Sequence, residues 1–218
     1  MSNPLLSMEG LPSFSQIKPE HVEPAVDQIL KDSRMAIAEL LKTQQANPSW
    51  DGLVLALDEL NARLGRAWSP VSHLNAVCNN AELRAAYEAC LPKLSEYWTE
   101  MGQNKPLFEA YDALAKSPAA AGFDVAQKTI LDHALRDFRL SGIDLPAEQQ
   151  KRYGEIQMKL SELASRFSNQ LLDATQAWTK HITDDAALAG LTDSAKAQMA
   201  QAAQAKELDG WLITLEFP

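Results

Sequence analysis

The sequence predicts an all-α protein: a multi-helix bundle with a long antiparallel helical hairpin and a small two-stranded ribbon near the C-terminus. Three observations carry that reading. Apolar residues recur at steps of three and four along most of the chain, which keeps one face of an α-helix continuously apolar. Capping residues, Pro and Gly punctuate those stripes. Strand-like alternation occurs only at the end, where Trp211, Ile213, Leu215 and Phe217 are separated by single residues.

The longest stripe runs through Tyr153, Ile156, Leu160, Leu163, Phe167, Leu171, Ala174 and Trp178. At the rise of an α-helix it would be roughly 40 Å long, enough to serve as a spine for the other helices. Gln157, Lys159, Glu162, Arg166 and Asn169 lie between its apolar positions and can face water.

Before the spine, the chain reads as follows. Met1 to Lys18 is an extended arm whose Leu5, Leu6, Leu11, Phe14 and Ile17 should lie against the body. The first helix should begin near Pro19 or Pro24, because Pro is tolerated only in a helix's first turn. Asn47-Pro48-Ser49 ends it, with Ser49 capping a stripe of Leu53, Leu57, Leu60 and Leu64. Ser69-Pro70 should open a separate short helix, and Asn80 another with Leu83, Tyr87, Leu91, Leu94 and Trp98 inside. Pro92 within that pattern predicts a bend. A short helix covers Asn104 to Ala115, followed by a loop at 117–122. Asp124-x-x-Gln127 is a capping box, and Ser141-Gly142 a stop. The short connection Asp144-Leu145-Pro146 should fold the next helix, the spine, back antiparallel. Beyond it come a strand near Trp178 to Thr183, an Ala-rich helix from Thr192 to Lys206, and the terminal strand. The total is roughly eight helices.

Composition narrows the function. The net charge is −9, from 20 Lys and Arg against 29 Asp and Glu, so a phosphate backbone or anionic membrane is repelled. No nucleic-acid and no membrane partner is expected. The first residues lack the basic and apolar parts of a secretory signal, and no apolar run is long enough to span a bilayer. With two cysteines, Cys78 and Cys90, outside any metal spacing, the expectation is reduced thiols in a cytoplasmic protein.

No motif carries chemistry. His21, His73, His133 and His181 form neither H-E-x-x-H nor H-x-H, and there is no phosphate loop and no G-x-S-x-G. Asp184-Asp185 reads as a turn or helix start, and the five tryptophans (Trp50, Trp68, Trp98, Trp178, Trp211) as core or interface anchors. No catalytic, cofactor-binding or metal-ligating residue is assigned.

The run ALRDFRLSGIDLPAEQQKRYGEIQMKLSELASRFSNQLLDAT resembles the N-terminal region of the thimet-oligopeptidase-like zinc metallopeptidases, in their bacterial oligopeptidase A branch. The likeness continues through NPLL, LPSFSQIKPEHVEPAV, SPVSHLNAV, ELRAAYEACLPKLSEYW and KELDGWLITLEFP. The resemblance implies a single helical N-terminal domain over residues 1–218, the catalytic domain being absent. It implies a cytoplasmic parent enzyme that hydrolyses short peptides, including signal-peptide fragments. In that parent, two His and a Glu hold Zn²⁺, the motif Glu activates its water, and the N-terminal helices wall a deep channel. The H-E-x-x-H helix lies beyond the region seen here, so no ligand or base is carried over, and this chain needs no cofactor of its own. Its partners would be the missing C-terminal catalytic domain and, in the full-length enzyme, short peptides. The chain would be inactive alone. Two alternatives are a freestanding helical protein-interaction module and, less simply, a small hydrolase built on His73 or His133.

Overall fold

A computed structural model describes residues 3–7 and 10–215. Seven α-helices are present among them: α1 (Pro19–Gln44), α2 (Ala56–Val77), α3 (Ala81–Gly102), α4 (Lys105–Lys116), α5 (Val125–Leu140), α6 (Ala147–Ala177) and α7 (Asp193–Ala205). Two short strands, β1 (Thr179–Ile182) and β2 (Trp211–Thr214), complete the all-α class with its small ribbon. The chain forms two compact units, Met1–Glu162 and Leu163–Pro218, whose boundary falls inside α6.

In the first unit, α1 packs against α2, α3 and α4. Its Val22, Ala25, Val26, Ile29 and Leu30 join Leu64, Ala67 and Val71 of α2 and Leu83, Cys90, Leu94 and Tyr97 of α3 in one buried cluster. Farther along α1, Ile37 belongs to a second cluster with Leu53, Leu57, Leu107, Leu114, Leu131 and Phe138. Only part of the N-terminal arm lies on the body: Leu5 is 2% exposed and joins the first cluster, with Ile17 packed against it, but Leu6, Phe14 and above all Leu11, at 91%, are exposed. Asn3 holds it there by donating from Nδ2 to the His21 carbonyl at 2.7 Å.

The expected caps form. Gly52, Leu83, Leu107 and Gln127 donate their backbone N–H to the side chains of Ser49, Asn80, Asn104 and Asp124. Gln127 Oε1 reciprocates on the Asp124 N–H at 3.1 Å, completing the capping box. Gly142 stops α5 with φ +86°, a backbone state that a Cβ strains.

In the second unit β1 and β2 are antiparallel, pairing Thr179 with Thr214 and Ile182 with Trp211. α7 packs on β2, and Leu188, Ala203 and Leu212 are buried. Gly210 enters β2 at φ +85°, and a Cβ there would stand 2.5 Å from the Ile182 carbonyl oxygen, so the turn requires glycine.

Four expectations are corrected. The helices of the hairpin, α5 and α6, are both present, but no residue of α6 is buried. The spine is therefore not α6; α1 has that role, because its apolar stripe meets three other helices. Ser69-Pro70 starts no new helix, since Pro70 lies buried inside α2. Burying the ring against the core offsets the hydrogen bond that Pro cannot make, and the merger brings the count to seven. As expected, α1 starts at Pro19, with Pro24 farther inside it, and Pro92 lies within α3. In α3 the inward residue is Tyr97, not Trp98, because the stripe Leu83, Cys90, Leu94, Tyr97 keeps steps of seven, four and three. In β2 the buried residue is Leu212, while its odd-numbered neighbours Trp211 and Ile213 are half-buried. Phe217 lies outside the described residues.

The α3 register gives a paired test. Tyr97 is 1% exposed and Trp98 48%. Tyr97→Ala should cost about 3–5 kcal/mol in urea denaturation, and Trp98→Ala less than about 1 kcal/mol.

Candidate functional site

One surface feature is the apolar stripe of α6. Ile156, Leu160, Leu163, Phe167 and Leu171 fall on one face at steps of four, three, four and four, and all are exposed. Phe167 and Leu171 are the extremes, at 68% and 59%. The N-terminal end of α6 is fixed by amides. Gln150 Nε2 donates to the carbonyls of Gly142 and Ile143 at 3.2 and 3.0 Å. Gln103, the residue just after α3, donates from Nε2 to those of Ser141 and Gln150 at 3.0 and 3.3 Å. Side-chain amides thus replace, at this end, the packing that the rest of the helix lacks.

A second feature is a cavity of about 370 Å³ within the first unit. Ile37, Leu57, Met101, Leu107 and Phe138 supply its apolar wall, Tyr111 and Asp137 polar groups, and Trp98 an exposed indole. Tyr111 is pushed up to about 12, first by burial and then by the Asp58 carboxylate, so it remains a neutral phenol at physiological pH. These residues come from different helices, and nothing in their sequence spacing announces the cavity.

The histidines are dispersed. His21 Nδ1 accepts the Lys18 N–H at 3.2 Å, in the first turn of α1. His73 packs against the Phe14 ring at 5.6 Å, and His133 is exposed on α5. His181 Nε2 meets the Asp209 carbonyl at 2.5 Å beside the ribbon. Among the described residues, no group of three or more His, Cys, Asp or Glu is placed to hold a metal ion. Asp184 caps a 3₁₀ turn, its Oδ1 accepting the Ala186 N–H at 3.0 Å, and Asp185 pairs with Lys196. Cys78 is exposed, while Cys90 is buried one turn before Lys93. Lys93 bridges Glu23 and Asp27 of α1 at 2.7 and 2.6 Å. Desolvation works against its charge, but the hydrogen bonds to Asp27 and Glu23 outweigh it and raise its pKa. Among the described residues, no helix is long and apolar enough to cross a membrane.

The chain belongs to the neurolysin/thimet oligopeptidase family, whose N-terminal domain it matches over residues 26–151. Over its whole length it is 54% identical to oligopeptidase A of Haemophilus influenzae and 52% identical to oligopeptidase A of Escherichia coli. A more distant relative is the dipeptidyl carboxypeptidase of Escherichia coli, 29% identical over 98% of this chain. In each case the chain spans 32% of the relative, and with oligopeptidase A it matches the N-terminal third.

Burial pushes the Cys90 thiol from its ordinary 9.0 up to about 11; nearby Lys93 pulls it down, and Glu23 and Asp27 push it up. Between those values the unfolded chain releases the proton first. The contribution is complete below the unfolded value and is lost as pH rises through the folded one. Stability should fall between about pH 8 and about pH 10.5, and Cys90→Ala should remove on the order of 2 kcal/mol of that fall. Urea midpoints of both proteins at the two pH values check this.

Proposed function

We propose that this chain is the N-terminal scaffold and channel-wall domain of a cytoplasmic zinc metallo-oligopeptidase that hydrolyses short peptides, signal-peptide fragments among them. The observation that carries the reading is α6. Its apolar stripe has the pattern of a core helix and the exposure of a surface one. Half-exposed side chains of this size gain on the order of 1 kcal/mol each when covered, so the stripe favours a partner. The matches to the N-terminal third of oligopeptidase A suggest the occupant: the remaining two-thirds of such an enzyme.

Zinc belongs to that remainder in this reading. The residues present do not fit the metal: the sequence has no H-E-x-x-H, and the histidines lie on separate elements. No hydrolytic step is derived from this chain. Its own part is mechanical: the α1-centred body is a rigid wall, and α6 presents the face on which the rest would be built.

Three measurements test the proposal. Purified chain should cleave no quenched-fluorescence peptide and should carry no stoichiometric zinc by metal analysis. Peptide turnover by pure chain, or one tightly held Zn²⁺ per chain, overturns it. The chain should also co-purify with the separately expressed C-terminal two-thirds of a relative. Replacing both Phe167 and Leu171 by Asp should weaken that complex at least tenfold, because two charges would be buried. A complex indifferent to both substitutions would remove α6 as the docking face.

A further inference from the structure

Beside its exposed apolar stripe, α6 carries a row of charges that the scaffold reading leaves unused. Arg152, Glu155, Lys159, Glu162 and Arg166 follow one another at steps of three, four, three and four, and their sign alternates throughout. All five belong to one unbroken helix, so helix geometry alone sets them in a single row along one edge of the Ile156–Phe167 face. Arg152 reaches Glu155 at 3.0 Å and Lys159 reaches Glu162 at 2.8 Å, but both pairs are more than half exposed and hold their charges only weakly. Arg166 makes no ion pair among the described residues.

That row decides how a second copy would fit. Two parallel α6 helices in register set each charge against itself, Glu155 on Glu155 and Arg166 on Arg166. Two antiparallel helices crossing at Leu160 set Glu155 opposite Arg166 of the second copy and Lys159 opposite Glu162, and two-fold symmetry repeats both pairs. The apolar residues match in the same register, Tyr153 with Phe167, Ile156 with Leu163 and Leu160 with itself. Crossing at Leu163 instead opposes Lys159 to Arg166, and crossing at Ile156 opposes Arg152 to Lys159. Charge therefore selects one orientation and one register.

We propose that a second copy of this chain covers the α6 face, as an antiparallel two-fold pair crossing at Leu160. The pair uses the exposure of α6 on which the scaffold reading also rests, but not the remainder of the enzyme. The matched stretch, Tyr153 to Phe167, is only about 20 Å long, so the association is modest.

Sedimentation equilibrium of the 218-residue chain should show a monomer–dimer equilibrium with a Kd on the order of tens of micromolar. Glu155→Arg and Arg166→Glu should each weaken dimerisation about tenfold, because each opposes like charges at two places. An equal mixture of the two variants should restore it, because every opposed pair then has one charge of each sign. Both residues are exposed, and unaltered circular-dichroism melts should show that both variants are folded. Disulfide trapping checks the register in a Cys78→Ser background, where the remaining Cys90 is buried. Leu160→Cys should form a linked dimer on oxidation, and Phe167→Cys should not, because the antiparallel crossing holds its two copies roughly 20 Å apart. A chain that stays monomeric at ten times the expected Kd, a mixture no better than its components, or equal linking of both cysteine variants would each overturn the proposal. If that monomeric chain still bound the C-terminal two-thirds of a relative, only the self-pairing would fall and the scaffold reading would stand.

Discussion

Burial of one face of α1 is the constraint on which the first unit depends. Its N-terminal half supplies Val22 to Leu30 to one cluster, and Ile37 reaches the other. Removing α1 would expose residues of α2, α3 and α4 together, because each packs on it. Charged groups line the same joints. Lys93 of α3 bridges Glu23 and Asp27, Arg63 of α2 meets Asp32 at 2.9 Å, and Arg34 meets Glu100 at 2.7 Å. Pairs this exposed are worth little individually, so they are better understood as fixing the rotational setting of α1 than as holding it down. Apolar burial supplies the cohesion.

The contrast between α1 and α6 links architecture to function. Both helices are long and amphipathic, and both are preceded by a proline or begin with one. One stripe is covered by three helices within the chain; in the other, no described residue is buried. A helix whose stripe meets no partner is marginal unless its ends are tied. The amides of Gln103 and Gln150 provide that tie at the N-terminal end of α6.

Sequence reasoning succeeded where the signal was local. Asn80, Asn104, Asp124 and Thr192 cap the helices expected of them, because a cap involves a side chain and a backbone group three residues apart. It failed where two local rules competed with packing. Ser69-Pro70 has the chemistry of a helix start, yet the Pro ring lies buried within α2. Trp98 fits the helical period almost as well as Tyr97, and the choice between them depends on where α1 lies. The cavity was invisible for the same reason: Leu57, Trp98, Tyr111 and Asp137 are brought together by four helices, and no spacing along the chain encodes that.

The sequence by itself determined the helical class, the main breaks, the ribbon and the family, because periodicity, caps and family-specific runs are all properties of neighbouring residues. Tertiary structure decided which apolar stripes become core. An amphipathic helix states only that one face should leave water. Whether a partner is there to receive it depends on where the other helices lie: α1 meets three of them, while no described residue of α6 is buried.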